Sequence, residues 1–170
     1  MNTLKQLPAN AKVWIYQSNR PFTNQEIETI YTDARQFLDT WQSHGQPMDA
    51  AFQLFFNQLF VIALDESRAG ASGCGIDKSV HFIKNLEQKL NVDFFNRLNI
   101  CYTNTAVDDI YDCNANILQV QFSNLQSMNI TNNTFVFDNT ISTKQQLETQ
   151  WLKPIDNSWL SKYINATSHS

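Results

Sequence analysis

Glycine and proline are scarce in this chain, four of each in 170 residues. So few turn-formers exclude collagen-like and low-complexity architectures and point to a core with few irregular excursions. Charge is sparse as well, at 16% of residues, with a net charge of −4 and a pI near 5.2. Lysine and arginine nowhere cluster, so the basic footprint of a nucleic-acid binder is missing. The longest apolar run, Leu59 to Leu64, is far shorter than a membrane span requires. Cysteine is limited to Cys74, Cys101 and Cys113, an odd number without metal-ligand spacing. That pattern favours reduced thiols over a disulfide framework. Met1 to Lys12 lacks the apolar segment of a secretory signal, so the expected compartment is the cytoplasm. Three Asn-x-Thr triplets, at Asn129, Asn132 and Asn165, are read on that basis as accidents of an Asn-rich chain.

What is present is apolar and aromatic. Hydrophobic residues make up 42% of the chain and phenylalanine alone contributes twelve. The length suits one ordinary domain, expected over residues 1–165, with a frayed tail at 166–170. Val13 to Ser18 is rich in β-branched and aromatic residues and reads as a strand that Pro21 breaks. Thr23 and Glu26 have capping-box spacing. Ile27, Ile30, Tyr31, Ala34, Phe37, Leu38 and Trp41 then fall on one helical stripe, which His44-Gly45 should terminate near Ser43.

Phe52 to Phe56 alternates as a half-buried strand, Asn57-Gln58 supplies a turn, and Leu59 to Leu64 suits a strand covered on both faces. After a glycine-rich loop, Asp77 is the expected N-cap of a helix carrying Val80, Phe82, Ile83, Leu86 and Leu90. Asn99 to Thr103 reads as the next strand. The order is β-α-β-β-α-β, so the expected fold is α+β: a mainly antiparallel sheet with helices packed on it, a ferredoxin-like core and a C-terminal extension. In that extension, Ile117 to Gln121 and Thr134 to Asp138 read as strands, and Phe122 to Met128 as a short helix. Thr143-Lys-Gln-Gln146 opens a further helix to about Trp151, and Ser158 caps a last turn through Tyr163.

The chemistry is expected in the loop Asp65-Glu-Ser-Arg-Ala-Gly-Ala-Ser-Gly-Cys-Gly-Ile-Asp-Lys-Ser79. It joins the most apolar strand to a helix N-terminus, where unpaired N–H groups attract anions and lower a thiol's pKa. Ser72, Gly73, Gly75, Lys78 and Ser79 are the candidate ligand-binding residues, with Arg20 as a further anion clamp. Cys74 is the candidate nucleophile and His81 the nearest imidazole. Each has a plainer reading: a packed cysteine, a surface His81 paired with Asp77, a solvated Lys78, and an Arg20 that ties a strand end to a carboxylate. Asp65 and Glu66 would point to opposite faces of a strand end, which separates them as an acid/base pair. The four tryptophans, Trp14, Trp41, Trp151 and Trp159, are expected to pack in the core or an interface.

Val13-Trp-Ile-Tyr-Gln-Ser-Asn-Arg-Pro21, Trp41-Gln-Ser-His-Gly45, Ser72-Gly-Cys-Gly-Ile-Asp-Lys-Ser-Val-His-Phe-Ile-Lys84 and Ser158-Trp159 together resemble the signatures of an uncharacterised family of small bacterial proteins. Position 75 is more usually serine in that family, so Gly75 is a departure that loosens the loop. The resemblance is weakest between Asn104 and Asn133. Members carry the label ABC-transporter ATPase, and the resemblance implies that label without any catalytic residues to go with it.

The residues themselves argue against the label. A P-loop places lysine directly after its last glycine, whereas Ile76-Asp77 separates Gly75 from Lys78. Asp77 would also repel the phosphates. Leu59 to Glu66 imitates the apolar strand and Asp-Glu of such ATPases but precedes the glycine loop, reversing their order. The expected function is therefore a non-enzymatic binding or interaction module. Its glycine loop holds a small anionic ligand or a partner segment, with no cofactor and no metal. A thiol-dependent enzyme using Cys74 is the second reading, and ATP hydrolysis the third. Calorimetric titration with Mg²⁺-ATP should give no saturable heat; saturable binding that disappears in Lys78→Ala would reverse this conclusion.

Overall fold

One strand sets the architecture of the first half. In the computed structural model, which describes residues 2–68, 73–112 and 114–167, Leu59–Asp65 forms β5, the centre of a three-stranded sheet. For residues 43, 73, 74, 166 and 167 the backbone alone is described. Leu59 through Leu64 are each at most 1% exposed, so both faces of β5 are covered. Its edges are filled by β1 (Lys12–Gln17) and β4 (Asp49–Phe55), both antiparallel to it. The register pairs Trp14 and Phe52 with Ile62, and Tyr16 and Leu54 with Phe60.

Two helices cover the face that carries those residues. Helix α1 (Asn24–Thr40) opens with the expected capping box: Thr23 Oγ1 accepts from Glu26 N, and Glu26 Oε2 accepts from Thr23 N at 2.9 Å. Its Ile30, Ala34 and Leu38 share one core with Ile83, Leu86 and Leu90 of α2 (Gly73–Leu90) and with Tyr16, Leu54, Phe60, Ile62 and Leu64 of the sheet. Removing a side chain such as Ile62, 1% exposed, deletes packing on a scale of about 2–5 kcal/mol.

Two turns differ from the sequence reading. Helix α1 stops at Thr40, because Trp41 is extended (φ −71°, ψ 115°). His44-Gly45 is instead the two-residue turn of a small hairpin, β2 (Gln42–Ser43) and β3 (Gln46–Pro47). Both of its residues have positive φ, 51° and 77°, as a type I′ turn demands. Between β4 and β5 the left-handed residues are Phe56 and Asn57, and Gln58 N closes the turn on Phe55 O at 3.0 Å.

The chain divides into two compact units, Met1–Phe95 with Ser142–Gln145, and Asn96–Ile141 with Gln146–Ser170. In the second, β6 (Asn99–Thr103) pairs antiparallel with β7 (Leu118–Gln121) and with β8 (Phe135–Phe137), which pairs in turn with β9 (Leu152–Pro154). The sheet order is β7-β6-β8-β9. Ile100, Tyr102, Val120, Leu125, Val136, Ile155 and Leu160 form its core. Helix α3 (Lys144–Gln150) follows the second capping sequence, and α4 (Ser161–Thr167) follows Ser158, whose Oγ accepts from Leu160 N. Helix α4 thus includes part of the expected tail, the rest of which lies outside the described residues.

The α+β class with antiparallel sheets is correct. Within the first sheet, β1 and β4 run parallel with β5 between them, which is the split βαβ arrangement. The fourth strand of a ferredoxin-like sheet does not join it. The strand expected there, β6, belongs to the other sheet, and the outer edge of β1 is met instead by residues 142–143. Val13 N donates to Ser142 O at 3.0 Å, and Lys12 and Thr143 form an antiparallel bridge.

Gly45 isolates a purely conformational effect, since a Cβ placed there meets nothing within 4 Å. Gly45→Ala should cost about 1 kcal/mol through the left-handed backbone alone, read as a lower urea midpoint. Gly45→Asn should cost less, because Asn tolerates that conformation. Equal losses in the two variants would count against a backbone origin.

Candidate functional site

The candidate loop leads from β5 into the first turn of α2. Residues 69–72 lie outside the described residues, and with them Ser72; Gly73 and Cys74 are described as helical backbone only. The described part of helix α2 begins at Gly73, four residues before the expected N-cap Asp77. Its first turn, Gly73 to Ile76, contains no acidic side chain. Two glycines within that turn are unfavourable for a helix by roughly 1 kcal/mol each, so tertiary contacts have to hold it. The buried Trp41 supplies one: its indole Nε1–H donates to Gly75 O at 2.9 Å. Strand β2, just after Trp41, packs against α2. The Trp41-to-Gly45 stretch and the glycine loop, distant in sequence, therefore belong to one region.

Past the first turn the candidates separate by exposure. Asp77, Lys78 and His81 are exposed. Asp77 and His81 are four residues apart and so neighbours on the helix surface. Ser79 is buried and its Oγ donates to Ile76 O at 2.7 Å. The Ser79 hydroxyl is thus engaged by the protein. Burial raises the Tyr16 pKa, and the neighbouring Ser79 side chain offsets part of the rise. Asp65 Oδ1 accepts from Ser67 N at 2.9 Å, and Glu66 pairs with Lys12 at 2.9 Å. The two carboxylates have separate structural partners.

Arg20 sits at the other end of α2. Its two terminal nitrogens donate to Glu26 Oε1 and Oε2 at 2.8 and 2.9 Å, to Leu90 O at 2.8 Å and to Pro21 O at 3.2 Å. These four bonds use all four terminal N–H groups, leaving none of them for an outside anion. Leu90 is the last residue of α2, so Arg20 satisfies an orphan carbonyl at the negative end of the helix dipole. The same end carries a left-handed Asn91 (φ 52°) and a Val92 N–H bonded to Glu87 O at 3.1 Å, the C-terminal motif usually built on glycine. Seventeen residues of helix, about 26 Å, separate this end from Gly73. Arg20 and the glycine loop do not form a joint site.

Sequence reasoning did not anticipate two surface features. A groove of about 470 Å³ lies between α1 and α2, lined by Phe37, Phe82, Asn85 and the ion pair Lys89–Asp33 at 2.7 Å among others. None of the candidate residues lines it. In the second unit, Phe122, Trp159 and Tyr163 touch one another, with Trp159 48% exposed. The other tryptophans are more enclosed: Trp151 is fully buried with its indole bonded to Asn139, and Trp14 packs at the core's margin. Among the described residues, no three His, Cys, Asp or Glu side chains gather to hold a metal ion. No described helix is long and apolar enough to cross a membrane.

Comparison with protein-family models, with curated proteins and with solved structures finds no match.

The Arg20 clamp carries a pH signature. The hydrogen bond from Arg20, and then the Thr23 backbone bond, hold the Glu26 carboxyl down at about 2 from an ordinary 4.5. A depressed carboxyl stabilises the folded state above its unfolded pKa, and that contribution fades as pH falls from about 4.5 towards about 2. Urea unfolding at stepped pH should show a steeper acid-side loss in the native protein than in Glu26→Gln. Identical slopes would mean that the pair contributes nothing.

Proposed function

We propose that the protein is a non-enzymatic binding module that holds a small anionic group, a phosphate or carboxylate, at the N-terminus of α2. The observation that carries this reading is that the chain is already helical at Gly73. With Asp77 moved into the second turn, the first turn has no acidic side chain to neutralise its end of the dipole. The leading N–H groups of any helix lack intrahelical partners, and with the dipole they favour an anion. Trp41 fixes the turn through Gly75, which spares an incoming ligand the cost of ordering it. Lys78, exposed just beyond, sets a positive charge beside the exposed Asp77.

The test uses inorganic phosphate as probe and amide NMR as readout. Phosphate should shift the amides of Gly73 to Ile76 saturably at millimolar concentration, and Lys78→Ala should weaken that binding by several-fold. Shifts spread evenly over the surface, or none, would defeat the proposal.

The thiol-enzyme reading keeps one specific support: Cys74 is the second residue of α2, where a thiolate is stabilised. Cys101 is the internal reference, since burial pushes its thiol up to about 12. Limiting iodoacetamide near neutral pH should label Cys74 long before Cys101. Asp77→Asn should speed that labelling by removing a nearby negative charge. If Cys74 stays protected until the protein unfolds, it is a packing residue and the enzymatic reading is lost.

A further inference from the structure

We draw no further inference here: the strongest candidate, the half-exposed aromatic ridge of Phe122, Trp159 and Tyr163 in the second unit, is an unpartnered apolar surface, and nothing in the structure shows what covers it.

Discussion

The first unit depends on the requirement that β5 be paired along both edges and covered on both faces. A strand reading Leu-Phe-Val-Ile-Ala-Leu has no polar face to give to water, and each buried backbone group must find a partner. Strands β1 and β4 meet the second demand over nearly its whole length. Because β1 is antiparallel to β5, the helices that follow these two strands start at opposite ends of the sheet. That geometry sends the chain from Asp65 through the glycine loop into α2, and brings the far end of α2 to the turn after β1. The positions of the loop and of Arg20 follow from how β5 is buried.

The two ends of α2 are finished differently. Its C-terminus is closed several times over, by the left-handed Asn91, by the Val92 bond to Glu87 O and by Arg20 on Leu90 O. Arg20 is itself held by the carboxylate that completes the capping box of α1, so Glu26 ties the start of one helix to the end of the other. At the N-terminus the side-chain bonds from Trp41 to Gly75 O and from Ser79 to Ile76 O both engage carbonyls of the first turn. The first turn of α2 is thus fixed in place through its carbonyls.

What the sequence made legible was local. Apolar alternation and length located β1, β4, β5 and β6, and the Thr23–Glu26 spacing located the start of α1, because each signal lies within a few adjacent residues. The misreadings occur where a distant residue decides. Asp77 is a good N-cap and Gly73 and Gly75 are poor helix formers, so local preference places the start of α2 too late. The Trp41 indole, more than thirty residues away in sequence, supports the earlier turn. His44-Gly45 looked like a helix stop because glycine commonly follows a helix; the positive φ of both residues makes it a hairpin turn. The edge of β1 shows the same limit. No local pattern says that residues 142–143 would meet it while β6 pairs elsewhere. The candidate site was legible in location, through its glycines before a helix, and illegible in its support.

The preference for binding over catalysis follows from what the polar side chains near the loop already do. Catalysis needs a group whose proton or lone pair is available to a substrate. Ser79 donates to Ile76 O, and Glu66 is paired with Lys12. Asp65 serves its own turn, and the four terminal N–H groups of Arg20 are engaged at the opposite end of the helix. Around the first turns of α2 the exposed described side chains are Asp77, Lys78 and His81. Main-chain N–H groups and a lysine can hold an anion without transforming it. Cys74 is the candidate nucleophile, and its reactivity would come from the same helix end that favours the anion. A bound phosphate would then compete with a thiolate for the same field, so occupancy of the loop by an anion and ionisation of Cys74 should oppose each other.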